Sequence, residues 1–390
     1  MIAFKLAYRN LVGAGLRTWL NVIVLSFSFV IIIWHKGLLE GWNHQARRDM
    51  IDWEIGGGQY WHQAYDPYDP FTMIDSHGPI PAELKDRIAG GSATPILLTQ
   101  ASIYPQGRIQ SALLKGIDPQ QHILHIPADQ LQNEGEEIPA LIGTGMASAT
   151  KLVVGNLVTV RWRDANGTFD AAEAKIVSIF KTNVPTIDKG QVWIPLDRLQ
   201  SMLQMPGEAS IIVSRDQVQT SETVPGWIPR DHQYLLADMD KMIQSKTIGG
   251  SIIWILLMAL AMLAIFDTQV LSVWRRQKEI GTDIALGMTR GQVIRLFTIE
   301  GAMHGILAAI LAAAYGIPLL YFQSVQGFKV PGTSDDYGMA MAEKIFPVYS
   351  LGLILSTVII ILVTTTIVSY MPARRISKMK PTDAIRGKLQ

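Results

Sequence analysis

Between Thr247 and Phe266 the chain reads TIGGSIIWILLMALAMLAIF, with no Asp, Glu, Lys or Arg on any face. A helix needs about 20 predominantly apolar residues, at 1.5 Å each, to cross roughly 30 Å of hydrocarbon. This stretch meets that length. So does Gly301 to Phe328, with His304 its only possible charge, and so does the interval between Ile345 and Arg374. Thr18 to His35 is a shorter fourth run, which we extend to about Leu39 with His35 and Lys36 at the interface. A buried core helix is a poor alternative, because these runs are uncharged all round and three carry basic residues at one end. The whole chain agrees: 48% of residues are hydrophobic and 17% charged, with mean hydropathy +0.21, against about 25% charged for an average soluble domain. Having no Cys, it is neither a disulfide scaffold nor a thiolate enzyme. A net charge of +1 gives no support to nucleic-acid binding.

The first run, with Lys5, Arg9 and Arg17 before it, has the alternative of a cleaved signal peptide. No small-x-small site follows it, since the next residues are Trp34, His35, Lys36, Gly37, Leu38, Leu39 and Glu40, so an uncleaved span is expected. Basic residues also crowd the link between the second and third runs (Arg275, Arg276, Lys278, Arg290, Arg295) and the tail (Arg374, Arg375, Lys378, Lys380, Arg386, Lys388). Basic short loops stay in the cytosol. The expected protein is therefore an α-helical membrane protein with four transmembrane helices, both termini cytoplasmic, and a large α/β extracytoplasmic domain between helices 1 and 2. The expected segments are a cytoplasmic amphipathic N-terminal helix (1–18), helix 1 (19–40), the outer domain with its stalk (41–246), helix 2 (247–273), a cytoplasmic loop with a coupling helix (274–297), helix 3 (298–323), a short outer loop (324–346), helix 4 (347–371) and a cytoplasmic tail (372–390).

The segment from Gly41 to Lys246 has the composition of an ordinary soluble domain. Ser210–Ser214, Leu152–Arg161 and Ala174–Ile179 are β-branched runs of strand length, and Pro81–Ala89 reads as a helix with Pro in its first turn. Asn166-Gly167 between strand-like runs predicts a hairpin in which both residues take positive φ. Tyr234–Ser245 reads as a helix running on towards Gly249-Gly250, a stalk into the second span; a simple loop is the alternative. No catalytic constellation or metal site is expected. His122 and His125 stand three apart without supporting carboxylates, a spacing more common in solvated or packed pairs than in metal sites. Gly56-Gly57-Gly58 lacks a following Lys-Ser/Thr, and no Gly-x-x-x-x-Gly-Lys-Ser/Thr occurs anywhere, so P-loop ATP hydrolysis needs another chain.

Several short motifs occur in a fixed order. They are Leu6-Ala7-Tyr8-Arg9-Asn10-Leu11; Gly116-Ile117-Asp118-Pro119; Leu141-Ile142-Gly143-Thr144-Gly145-Met146-Ala147; Ile194-Pro195-Leu196; Lys278-Glu279-Ile280-Gly281 with Ala285-Leu286-Gly287-Met288; Glu300-Gly301; Pro372-Ala373-Arg374-Arg375; and Pro381-Thr382-Asp383-Ala384-Ile385-Arg386. Together with the layout, they resemble the FtsX/MacB-like superfamily of ABC-transporter permeases, and most closely its lipoprotein-releasing LolC/LolE branch. The match covers nearly the whole chain. Two departures stand out. Asp267 sits where the family often has Asn. The hairpin from Arg163 to Phe169 is short, whereas one of two sister subunits in the family carries a longer loop near it to dock a periplasmic chaperone.

The resemblance implies a multi-pass protein of the bacterial inner membrane with a MacB-like periplasmic domain. Its partners would be a dimeric ABC ATPase, a second permease copy (identical or sister), membrane lipid, a lipoprotein substrate, and a periplasmic chaperone or adaptor. No cofactor is expected on this chain; ATP and Mg would sit on the ATPase. The ATPase-coupling helix would comprise Gly287, Met288, Thr289, Arg290, Gly291, Gln292, Val293, Leu296 and Phe297. Its Val293, Leu296 and Phe297 stripe would suit a groove on the ATPase, the alternative being a helix lying on anionic headgroups. Gly291→Pro is expected to uncouple it. Phe27, Val30, Ile31, Trp34 and Leu38 with Ile252, Ile255, Leu256, Ala259 and Met262 are candidates for a substrate cleft, or simply face lipid and other spans. Asp267 and Glu300, costly within spans, should be paired or wet, with Arg275, Arg276 or Arg295 in reach. The expected function is extraction of a lipoprotein or other amphiphile from the outer leaflet. The alternatives are MacB-like export of peptides or drugs with an adaptor, and an FtsX-like signalling scaffold controlling a cell-wall hydrolase or sensor.

Overall fold

The computed structural model describes residues 16–69, 71–132, 135, 137–329 and 344–376. The motifs at Leu6–Leu11 and Pro381–Arg386, and most of the short outer loop, lie outside them. The chain divides into two compact units. One comprises the residues up to Asn43, Ile243–Lys329 and those from Lys344 on; the other comprises His44–Met242.

Among the described residues the first unit has five helices: α1 (Leu16–Met50, whose last turns belong to the second unit), α2 (Ala237–Arg275, whose first turns do), α3 (Gln277–Ala285), α4 (Arg290–Gln326) and α5 (Leu351–Ile376). Among the described residues four helices are long and apolar enough to cross a membrane: Trp19–Ile55, Ala237–Ser272, Arg290–Gln326 and Leu351–Arg374. Apolar helices gain little from burying Leu against Leu in lipid, so association depends on close packing and small residues. α4 supplies these at Gly301, Gly305, Ala308, Ala312 and Gly316, all buried. A Cβ at Gly301 would collide with Ser369 of α5, one at Gly305 would come within 3.0 Å of Leu362, and one at Gly316 within 2.8 Å of Val30 on α1. Val22, Leu25, Phe29, Ile32 and Ile33 of α1 complete the core with Ala261, Ile265, Ile361 and Val368. The Gly249-Gly250 pair does not interrupt α2; Gly250 lies where a Cβ would come 2.9 Å from Leu39.

The second unit is built on strands β1 (Gly58–His62), β2 (Gly78–Pro79), β3 (Ala93–Ile103), β4 (Gln110–Ile117), β5 (Ile138–Gly143), β6 (Leu157–Arg163), β7 (Phe169–Phe180), β8 (Gln191–Pro195), β9 (Glu208–Ala209), β10 (Ile211–Ser214) and β11 (Trp227–Arg230). The main sheet runs β11-β1-β10-β3-β4-β8-β5-β7-β6, and β3 also pairs β6. That second pairing closes six strands into a barrel. The length of β3 permits it: Ile96 faces Ile211 of β10, while Ala101 faces Trp162 of β6. Closure removes exposed strand edges. The strict alternation of β6, buried at Val158, Val160 and Trp162, places one face inside with Leu97, Leu114, Ala140, Ile142, Ile176 and Val192.

Two local expectations change. The strand expected from Leu152 begins at Leu157, because helix Thr144–Thr150 ends on Lys151 in the left-handed region (φ 58). In the β6–β7 hairpin Arg163 pairs Phe169, so the loop holds Asp164 to Thr168 rather than two residues. Only Gly167 has positive φ, at 81°; Asn166 does not. The Asp164 carboxylate explains this, accepting the backbone N–H groups of Asn166 (3.0 Å) and Thr168 (2.8 Å) and organising a wider turn. The helix expected at Pro81–Ala89 is Ala82–Ala89, with Pro81 as its N-cap. Where α1 leaves and α2 begins, Arg47 donates from Nε (2.9 Å) and Nη2 (2.6 Å) to Asp240 Oδ1. The cation lies in the last turn of one helix and the anion in the first turn of the other, the placement each helix dipole favours.

Candidate coupling site

The link from α2 to α4 is a helix and a turn. Arg276 is the N-cap residue of α3, and Leu286 to Thr289 form the turn, with Gly287 at φ 106 where a side chain would be strained. Thr289 then starts α4 with a capping box. Its Oγ1 accepts the Gln292 N–H (3.3 Å), and the Gln292 Oε1 accepts the Thr289 N–H (2.8 Å). The segment expected as a separate coupling helix is thus no such element. Gly287 and Met288 lie in the turn, Thr289 is the cap, and Arg290 to Phe297 are the opening turns of α4, which continues unbroken across the expected boundary at 297–298. The independent short helix is α3, which the periodicity of so brief a segment did not announce.

Burial revises the face as well. Val293 (2% exposed) and Phe297 (1%) pack with Ile280 of α3 and Ala373 of α5, while Leu296 packs with Met303. Val293 and Phe297 thus belong to the internal seam of α3, α4 and α5 rather than to a free surface, and Leu296 is also buried. What remains outside is Leu286, 82% exposed, with Gly287, Thr289, Arg290, Gly291, Gln292 and Arg295. Gly291 is the second residue of α4, where backbone N–H groups lack intrahelical acceptors, so Pro is tolerated there. The uncoupling expected of Gly291→Pro loses its physical basis.

Arg276 joins the start of α3 to the interior of α4. Its Nη1 donates to Glu300 Oε2 (3.0 Å) and its Nε to Glu279 Oε2 (2.9 Å), while the guanidinium lies 5.1 Å from the Phe297 ring centroid. Glu300 is 4% exposed, and the planar fork of Arg suits two carboxylates at once. Of the three arginines in sequence range, Arg276 pairs with Glu300. Asp267 is exposed on α2 and has no partner among the described residues. Of the two alternatives expected for these carboxylates, paired or wet, Glu300 takes the first, and Asp267 lies on an exposed helix surface.

The cleft candidates are dispersed. Val30 is buried against Gly316, and Trp34 stands edge-to-face with Phe328 at 5.9 Å. Ile31 and Leu38 are half-buried, and Phe27, Ile252, Ile255, Leu256 and Ala259 are exposed. Met262 alone lines the narrow gap between α1, α2 and α5, together with Leu25, Ile32 and Met258. Their periodicity correctly marked apolar faces, but it did not say which face packs. No group of three or more His, Asp or Glu among the described residues is placed to hold a metal.

Residues 251–381 match the family described as FtsX-like permease C-terminal, which spans α4, α5, the turn before them and most of α2. The chain carries an FtsX-like permease domain. The chain is 21% identical over 328 residues to a lipoprotein-releasing system transmembrane protein LolC from Neisseria meningitidis, covering 76% of this chain and 78% of that protein. A LolC from Xylella fastidiosa is 23% identical over 257 residues, 60% of this chain and 61% of that one. A macrolide export ATP-binding/permease protein MacB from Burkholderia lata is 26% identical over 147 residues, so the permease spans 38% of its own length and only 19% of the MacB protein. The resemblance to FtsX/MacB-like permases of the LolC kind therefore stands. Among solved structures, the extracellular domain of the noncanonic ABC-type transporter YknZ from Gram-positive bacteria aligns with 40% of this chain and 80% of that one, at 13% identity and TM-score 0.24.

Proposed function

We propose that this permease is the membrane subunit of an ABC transporter that lifts a lipoprotein, or a similar lipid-anchored amphiphile, out of the outer leaflet of a bacterial inner membrane. The observation that carries the reading is the long collinear likeness to LolC, which runs through both the outer unit and the FtsX-like domain. In this reading ATP is hydrolysed by an ATPase partner, these 390 residues containing no Gly-x-x-x-x-Gly-Lys-Ser/Thr. The ATPase grips the exposed turn around Leu286, and Arg276 passes the push to α4 through Glu300. In a bilayer the acyl chains are already dry, so release is driven by closing a cavity between two permease copies rather than by affinity for the lipid. The exposed faces of α1 and α2, with Phe27, Ile252, Ile255 and Leu256, are the surfaces that would border such a cavity.

The test is reconstitution in proteoliposomes with the partner ATPase and a triacylated lipoprotein. ATP-dependent appearance of lipoprotein in the soluble fraction is the expected result. ATP hydrolysis indifferent to lipoprotein, without release, would refute the proposal. The likeness to MacB supports a second reading, export of a peptide or drug through a periplasmic adaptor; release of such a solute but not of lipoprotein would select it.

A further inference from the structure

A cleft of about 510 Å³ opens in the outer unit, within the roughly 300–1,000 Å³ typical of ligand sites. Aromatic rings form its wall. Trp61 stands edge-to-face with Tyr65 (5.0 Å) and Tyr234 (5.7 Å). Its indole N–H already donates to Gln59 Oε1 (2.6 Å), so the ring is locked and only its π surface is left to offer. Arg230 packs its guanidinium 3.8 Å from the Tyr234 centroid. At the rim Tyr68 is 74% exposed, its backbone N–H held by the Asp66 carboxylate (2.9 Å).

The polar part of the lining comprises Gln59, Asp238, Lys241 and the Lys115–Glu54 ion pair. Lys115 is 5% exposed, donates to Glu54 Oε1 (3.2 Å) and lies 5.0 Å from the Trp193 ring centroid. An ammonium has three N–H donors, and this one meets a single hydrogen-bond acceptor among the described residues. Glu54 Oε1 also accepts from Gln191 Nε2 (3.5 Å), while Glu54 Oε2 accepts from no described residue. The Lys115 side chain is 7% exposed and that of Glu54 25%, so the pair opens on the cleft with donors and lone pairs that a polar ligand can meet in place of solvent.

We propose that this cleft binds an uncharged peptide segment rich in apolar side chains, one of its amide groups bridging the Lys115–Glu54 pair. The charge balance selects the ligand. The charged side chains of the lining balance, Lys115 and Lys241 against Glu54 and Asp238, so the cleft favours neither an anion nor a cation. An acyl chain would strip water from the pair and replace none of its hydrogen bonds. A peptide group is neutral and supplies one donor and one acceptor, and neighbouring Pro, Leu or Phe side chains match the aromatic wall. Met50 at the end of α1 and Ala237 and Asp238 at the start of α2 also line the cleft, so occupancy is felt at both helix ends. That the peptide belongs to the polypeptide part of the transported cargo rests on the function proposed above.

The experiment uses the full-length permease in nanodiscs and a fluorescent acetyl-Ala-Pro-Phe-Gly-amide probe, read by polarisation without any ATPase. Saturable binding is expected, weakened about tenfold by Lys115→Met and about fivefold by Tyr68→Ala. Tyr68 is exposed, so its variant remains decisive if Lys115→Met fails to fold. Absence of saturable binding, binding unchanged in Tyr68→Ala, displacement of the probe by laurate, or tighter binding of an Asp-containing version would each overturn the proposal. Lost peptide binding with lipoprotein release intact in proteoliposomes rejects the cleft alone. Intact peptide binding without release rejects the transport reading alone.

Discussion

Tyr60 is wholly buried in β1 and donates its hydroxyl hydrogen to Glu222, while Arg87 Nη1 donates to the phenol oxygen (2.8 Å). Burial pushes its pKa up to about 12, aided by the hydrogen bond and charge of Glu222 and opposed by Arg87. A raised value means the neutral phenol is the form the fold prefers. Its contribution is complete below the ordinary tyrosine value of 10.0 and is lost as pH climbs through about 12. Alkaline titration followed by near-ultraviolet circular dichroism should show unfolding of the second unit in that window. Tyr60→Phe should lower stability at pH 7 and remove part of that step. Glu300 and Arg276 form the other buried pair of consequence. Arg276→Ala leaves a carboxylate inside α4 without its cation and should cost about 1–3 kcal/mol, read as a lower melting temperature in detergent. Arg276→Ala with Glu300→Gln should recover part of the loss; a double variant as unstable as the sum of the two singles would show that the pair is not coupled.

Among elements, the turn between α3 and α4 and the α4–α5 seam make opposite demands. Leu286 is 82% exposed, so Leu286→Glu should leave the stability within about 0.5 kcal/mol of wild type while abolishing co-purification of the ATPase. Gly291→Pro, at the second position of a helix, should change neither. Loss of ATPase binding in Gly291→Pro with Leu286→Glu unaffected would move the docking surface elsewhere. At the seam Gly301 sits where any Cβ meets Ser369. Gly301→Leu should force α4 and α5 apart and reduce folded, detergent-extractable protein severely. Gly249→Ala, with nothing within 4 Å, should be neutral or stabilise by up to about 1 kcal/mol, as Ala does in a helix.

For the molecule as a whole, the testable quantity is sidedness. The chain has no Cys, so one engineered thiol reports one location. Ser148 and Arg290 are both exposed. In intact cells whose outer membrane has been opened, Ser148→Cys should react with a membrane-impermeant maleimide and Arg290→Cys should not, until the inner membrane is permeabilised. The reverse pattern would turn the four-span layout inside out and end the transport proposal with it.

The four apolar runs were legible without coordinates, because solvation of a helix in lipid depends on composition over about 20 residues and not on neighbours. The α/β character of the outer segment, the strands at Ile211–Ser214 and within Phe169–Phe180, and helix Ala82–Ala89 follow from local propensity in the same way. Other features required the third dimension. Arg276 was one of three arginines near Glu300, and only the return of α4 past the start of α3 selected it. Val293, Leu296 and Phe297 show the same apolar stripe whether a partner or the chain itself covers it, and α3 and α5 cover Val293 and Phe297 here. Lys115 and Glu54, far apart in sequence, form one ion pair because β4 passes beside the end of the first helical segment. Local sequence thus determined which segments are helix, strand or membrane-soluble, since those are properties of short windows. Tertiary structure decided which apolar face is interior and which charges meet, since both depend on residues that only folding brings together.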